Sequence, residues 1–146
     1  MPDIKRHASA TWLGDLQKGH STASVPSGAL KDTPVTANSR FGSDPGTNPE
    51  ELIAAAHASC FSMQLSGLLS AAGHPPKQIQ TNATLSMRKT ETGFKIFKMH
   101  LDTTATVEGI DNAAFQKIAE KAKTICPVSN LLAPGLEELT LSAKLG

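Results

Sequence analysis

Two cysteines are the residues in this chain best suited to covalent chemistry. Cys60 lies in Ala56-His57-Ala58-Ser59-Cys60-Phe61, and Cys126 lies in Cys126-Pro127-Val128-Ser129. They are far apart, form no C-x-x-C pair and no zinc-like spacing, and His7, His20, His74 and His100 form no spaced ligand set with either. Isolated cysteines in a reducing compartment are either small buried hydrophobes or a redox pair. Cys60, inside a helical run, reads as a buried filler when taken alone. Cys126 reads as the cap of a short helix, where free backbone N–H groups and the positive dipole end would favour its thiolate. A thiolate facing a second cysteine can be oxidised to sulfenic acid and then condense to a disulfide. That requires the two Cα atoms to come within about 7 Å.

A redox thiolate also needs a cation to hold it and to polarise a bound O–O bond. Arg40, in Asn38-Ser39-Arg40-Phe41, is the candidate, because a guanidinium stays charged when partly buried. Glu50 is the carboxylate positioned to hold it; the alternative for both is a solvated surface charge. Glu50 and Cys60 would lie about 15 Å apart along one straight helix and about 80° apart around it. If Glu50 serves the Cys60 site, a second copy of the chain must supply it across a two-fold contact. His57 precedes Cys60 by almost one helical turn, so a Cys–His dyad for acyl transfer is an alternative, against a plain core histidine.

The elements that must position these residues are legible from periodicity and caps. Lys5 to Trp12, His20 to Val25 and Val35 to Phe41 read as short extended runs, separated by turns at Leu13-Gly14-Asp15 and Pro26-Ser27-Gly28. After the Gly42–Asn48 loop, Asn48, Pro49 and Glu51 form a strong helix start. That helix should run to about Ala72, ended by Gly73 and Pro75-Pro76. Alternation at 79–87 and 97–105 predicts two strands joined near Glu91-Thr92-Gly93 as a hairpin. Asp111 should cap a second long helix with Phe115, Ile118, Ala119 and Ala122 on one face. Pro127 interrupts it, and a short helix restarts with Cys126 as its cap. Leu139, Leu141, Ala143 and Leu145 predict a last strand. The fold class is α+β, in one domain over residues 1–146.

The chain has 146 residues, 39% of them hydrophobic and 18% charged, enough for a globular core. The net charge of +1 is scattered, with no basic stripe for nucleic acid. No apolar segment follows the charges at the N-terminus, so a cytoplasmic protein is expected. Leu52 to Ala72 contains no charged residue and is long enough to span a bilayer. Its four serines, His57, Gln64 and Gly67, and the lack of a basic anchor at either end, favour instead a helix packed on all sides by protein.

Together these segments resemble the OsmC/Ohr family, the osmotically inducible and organic hydroperoxide resistance proteins. The matching residues are Asn38-Ser39-Arg40-Phe41, then Gly46-Thr47-Asn48-Pro49-Glu50-Glu51-Leu52-Ile53, Ala54 through Met63, and Cys126-Pro127-Val128-Ser129. Trp12-Leu13-Gly14-Asp15 and Pro75 match as well. His57 and the position of Arg40 just before the long helix look like the OsmC branch. The resemblance implies an intertwined homodimer, with long central helices wrapped by antiparallel sheets, no cofactor, and a role in oxidative and osmotic stress. It implies a peroxidatic Cys60, a resolving Cys126, an activating Arg40 and a Glu50 that holds Arg40. Hydroperoxides would be the substrates, docked beside Phe61 and Met63, and dithiols such as dihydrolipoyl groups the reductants. The rival readings are a Cys–His acyl hydrolase and a non-catalytic dimer that binds small apolar ligands.

Overall fold

The computed structural model describes all residues 1–146, in two compact units, Met1–Leu52 and Ile53–Gly146. The N-terminal unit is a three-stranded antiparallel meander: β1 (Ser9–Leu13), β2 (His20–Ser24) and β3 (Thr33–Val35). Asp15 turns the first hairpin by accepting the backbone N–H groups of Gln17 and Lys18 at 2.9 and 2.8 Å. The buried residues of this unit are hydroxyl-bearing, namely Ser21, Ser39 and Thr47, while Trp12, Leu13, Leu16 and Phe41 stand exposed. The sheet has no apolar core of its own.

The expected extended run from Val35 to Phe41 is corrected here. It breaks after Val35 into a short helix, α1 (Ala37–Phe41). Thr36 starts it through a capping box: the Thr36 hydroxyl accepts the Ser39 N–H, and the Ser39 hydroxyl accepts the Thr36 N–H, at 2.9 and 2.8 Å. Ser39 also donates to the Thr47 carbonyl, and the Asn48 side-chain amide donates to the Ser39 carbonyl. These bonds fold the 42–48 loop back onto α1. Gly46 permits the close approach, with φ at +129° and a Cβ there falling 2.5 Å from the Pro34 carbonyl oxygen.

The long helix α2 (Pro49–Ala71) begins as expected, with the Asn48 side chain accepting the Glu51 N–H at 2.8 Å. Glu51 accepts the Thr47 hydroxyl, so its carboxylate does not return to the Asn48 N–H. Gly73 (φ +85°) ends the helix, and the His74 N–H returns to the Leu69 carbonyl. The helix is long and apolar enough to cross a membrane. Contrary to the expectation of packing on all sides, only 22% of its apolar window is buried, because one sheet and one helix cover one face. That face is His57, Phe61, Leu65 and Leu69, successive turns of one stripe.

The C-terminal unit holds the second sheet, in the order β4 (Gln78–Thr90), β5 (Gly93–Thr106), β6 (Glu138–Leu145). The β4–β5 hairpin is antiparallel, with a bulge at Ser86/Met87, while β6 runs parallel to β5. A parallel neighbour needs a crossover, supplied by α3 (Asn112–Ile125), α4 (Pro127–Leu132) and a 3-10 turn at Ala133–Gly135. The core joins Phe61, Leu65 and Leu69 of α2, Leu101 and Ala105 of β5, Phe115, Ala119 and Ala122 of α3, and Cys126. Ser62 ties α2 to the sheet through a hydroxyl chain to Thr81 and Thr103, at 2.8 and 2.9 Å. Leu101→Ala should destabilise the protein by about 3 kcal/mol in urea unfolding, while Thr104→Ala, on the exposed side of β5, should stay within about 0.5 kcal/mol.

Candidate functional site

Cys60 sits on α2, and Cys126 is the residue between α3 and α4. Pro127 explains the junction. A residue before proline is driven out of the helical region, and Cys126 accordingly has φ −58° and ψ 124°. Pro127 then occupies the first position of α4, where its missing N–H is harmless. The break brings the Cys126 Sγ to 3.3 Å from the Cys60 Sγ, with both cysteines reduced. A disulfide needs about 2.05 Å, so closing the remaining gap takes only a small movement.

The two sulfurs are not equivalent. Cys126 is fully buried (0% exposed), whereas Cys60 is partly exposed and lines an open groove of about 500 Å³ with Ala56, Ser59, Met63, Gln64 and Pro127. Burial pushes the Cys60 thiol above its ordinary 9.0; the backbone N–H of Val128 opposes the rise, and the adjacent Cys126 thiol adds to it. The expectation that the start of α4 serves Cys126 is corrected: Cys126 has no side-chain capping bond, and the second residue of α4 directs its N–H at Cys60.

A second contact links the same two helices. His57 Nε2 lies 2.7 Å from the Ser129 hydroxyl, both residues being buried. His57 precedes Cys60 by three positions and Ser129 follows Cys126 by three, so the two pairs are successive rungs between α2 and an antiparallel α4. Ser129 is the buried residue of α4. Sequence reading did not single it out, although its offset from Cys126 mirrors that of His57 from Cys60. His57 Nδ1 is buried with no hydrogen-bond partner, a feature that costs about 1–3 kcal/mol. With Nε2 given to Ser129 and Nδ1 unpaired, His57 makes no hydrogen bond to Cys60, and the Cys–His dyad loses its basis.

The N-terminal unit holds the cation. Arg40 Nη2 lies 2.6 Å from Glu50 Oε1, and Nε reaches Oε1 and Oε2 at 3.2 and 3.1 Å. The side chains are 35% and 12% exposed, and the guanidinium also stands 5.1 Å over the Phe41 ring. Glu50 holds Arg40 within one chain because the folded-back loop sets α1 beside the start of α2. Met63 is 76% exposed at the Cys60 groove. Phe61 corrects the expectation of a substrate contact: its ring is fully buried in the core. No group of three His, Cys, Asp or Glu residues is placed to hold a metal ion.

Burial lowers the His57 pKa below its ordinary 6.5, so the unfolded chain binds a proton first as pH falls. His57 therefore lowers stability progressively below about pH 6.5, and above that pH the penalty is absent. Urea midpoints measured from pH 7 to pH 5 should fall more steeply for the native protein than for His57→Leu.

Comparison with known proteins places these features in a family. The OsmC-like protein family model matches residues 42–137. Peroxiredoxin OsmC of Escherichia coli is 46% identical over 142 residues, covering 97% of each chain. Among solved structures, an organic hydroperoxide resistance protein from Elizabethkingia anophelis aligns with TM-score 0.72 and 26% identity, over 99% of this chain and 100% of that one. The organic hydroperoxide resistance protein OhrB of Bacillus subtilis aligns with TM-score 0.68 and 26% identity, over 94% and 98% of the two chains. With its two sulfurs in contact and that likeness running nearly end to end, the chain belongs to the OsmC family.

Proposed function

We propose that this protein is a thiol-dependent peroxidase that reduces organic hydroperoxides, and hydrogen peroxide as well, in the cytoplasm. The observation that carries this reading is the 3.3 Å approach of two reduced cysteines of unequal exposure. The groove beside Cys60 and Met63 admits the peroxide. The Cys60 thiolate attacks the distal oxygen, the O–O bond breaks, and the alkoxide leaves and takes a proton. Cys60 is then a sulfenic acid. Cys126 attacks that sulfur, water leaves, and a Cys60–Cys126 disulfide results. An external dithiol, of the dihydrolipoyl kind, reduces it by exchange, entering at Cys60 because Cys126 is buried.

Burial of the Cys60 thiol opposes ionisation, so the attacking form needs a cation. Arg40, fixed by Glu50, supplies it, binding the thiolate and polarising the peroxide. The working unit is a homodimer of 1–146 domains with sites shared between chains. Supporting this, α2 has only one face covered, its uncharged outer stripe carries Ala56, Ser59, Met63 and Gly67, and the N-terminal sheet lacks an apolar core.

Mass spectrometry after one equivalent of cumene hydroperoxide should show the loss of two hydrogens, located between Cys60 and Cys126. Cys60→Ser should abolish turnover with any dithiol, and retained turnover there would overturn the reading. Arg40→Met should slow oxidation of Cys60 by about 10²–10³ in stopped-flow measurements.

A further inference from the structure

A resolving cysteine must reach the sulfenic sulfur before a second peroxide does, so the position of the helix that carries it matters. α4 is only six residues long, follows a proline break and has no side-chain cap at its start. Its buried residue is Ser129, and the bond of Ser129 to His57 is a directed contact between α4 and the long helix. As a stabilising device this is a poor choice, since it leaves His57 Nδ1 buried without a partner. An apolar pair of similar size would fill the same space without an orphaned nitrogen. What a directed bond supplies and an apolar contact does not is register. The His57–Ser129 rung fixes how far α4 slides along α2, and the next rung is Cys60–Cys126.

We infer that His57 and Ser129 are positioning residues for disulfide closure, holding Cys126 in line with the oxidised Cys60. The inference rests on the peroxidase reading. In the step concerned, Cys126 Sγ bonds to the Cys60 sulfur, the S–OH bond breaks, and the hydroxyl leaves as water with the thiol proton. The competing step is attack of the sulfenic acid on a second hydroperoxide, giving sulfinic acid. The rung acts on the first step and not on the second.

The experiment measures the peroxide concentration at which half of Cys60 is lost to sulfinic acid in a single turnover, read by intact-protein mass spectrometry. That quantity compares closure with over-oxidation and is independent of how fast Cys60 is first oxidised. The double variant His57→Leu/Ser129→Ala should melt at or above the native temperature, having lost the orphaned nitrogen, yet be over-oxidised at about 10- to 100-fold lower peroxide. His57→Gln, which keeps a polar atom near the position of Nε2, should remain closer to the native value than His57→Leu does. A double variant as resistant as the native protein, a double variant that fails to fold, or a glutamine variant no better than leucine would each overturn the inference. If the native protein itself forms no disulfide with peroxide, the peroxidase reading fails instead, so the two failures are distinguishable.

Discussion

The seating of α4 against α2 is the contact on which the rest of the chemistry depends. It brings two sulfurs from distant parts of the chain to 3.3 Å and places a backbone N–H on one of them. Nothing local to either cysteine produces this. The contact is the outcome of a core in which the α2 stripe Phe61, Leu65 and Leu69 packs with Leu101 and Ala105 of β5 and the Phe115, Ala119 and Ala122 face of α3. Once α3 is docked, Pro127 sets where its last turn ends, and Cys126 emerges beside Cys60. Cys126 is itself part of that core, so the packing that stabilises the unit also holds the second sulfur in place.

That arrangement carries a conflict, because the burial that brings the thiols together also resists their ionisation. The Cys60 thiol is pushed up mainly by desolvation, and the single N–H from Val128 only offsets part of this. Sulfur chemistry at neutral pH needs more positive charge than the C-terminal unit shows around Cys60. The Arg40–Glu50 pair is preassembled in the N-terminal unit by a different logic: the Thr36 capping box, the Ser39 bonds and the tight passage at Gly46. The helix α2 has its first turn in one unit and its cysteine in the other.

The exposed apolar surface is consistent with the proposed homodimer. A 23-residue uncharged-centred helix with one covered face, and a three-stranded sheet whose buried residues are all hydroxyl-bearing, are unfinished as isolated surfaces. Water is a poor solvent for both. A second copy of the chain would cover them and would carry its own Arg40 and Cys60 into the assembly.

Local signals in the sequence settled much of this molecule: the Asn48 start and Gly73 end of α2, the β4–β5 hairpin, the Asp111 cap of α3, and the break at Cys126-Pro127. Each depends on a few neighbouring residues, through caps, turn conformations or alternation, and so can be read without knowing what lies across the core. The two cysteines and their flanking residues also carried the family resemblance. Tertiary structure alone decided which groups meet. It paired β6 parallel to β5, and buried Phe61 while leaving Met63 exposed. It also aimed the Val128 N–H at Cys60 rather than Cys126, and gave His57 to Ser129. The physical reason is that these outcomes depend on which faces of distant elements are brought together by burial, and that choice is made by the whole core at once.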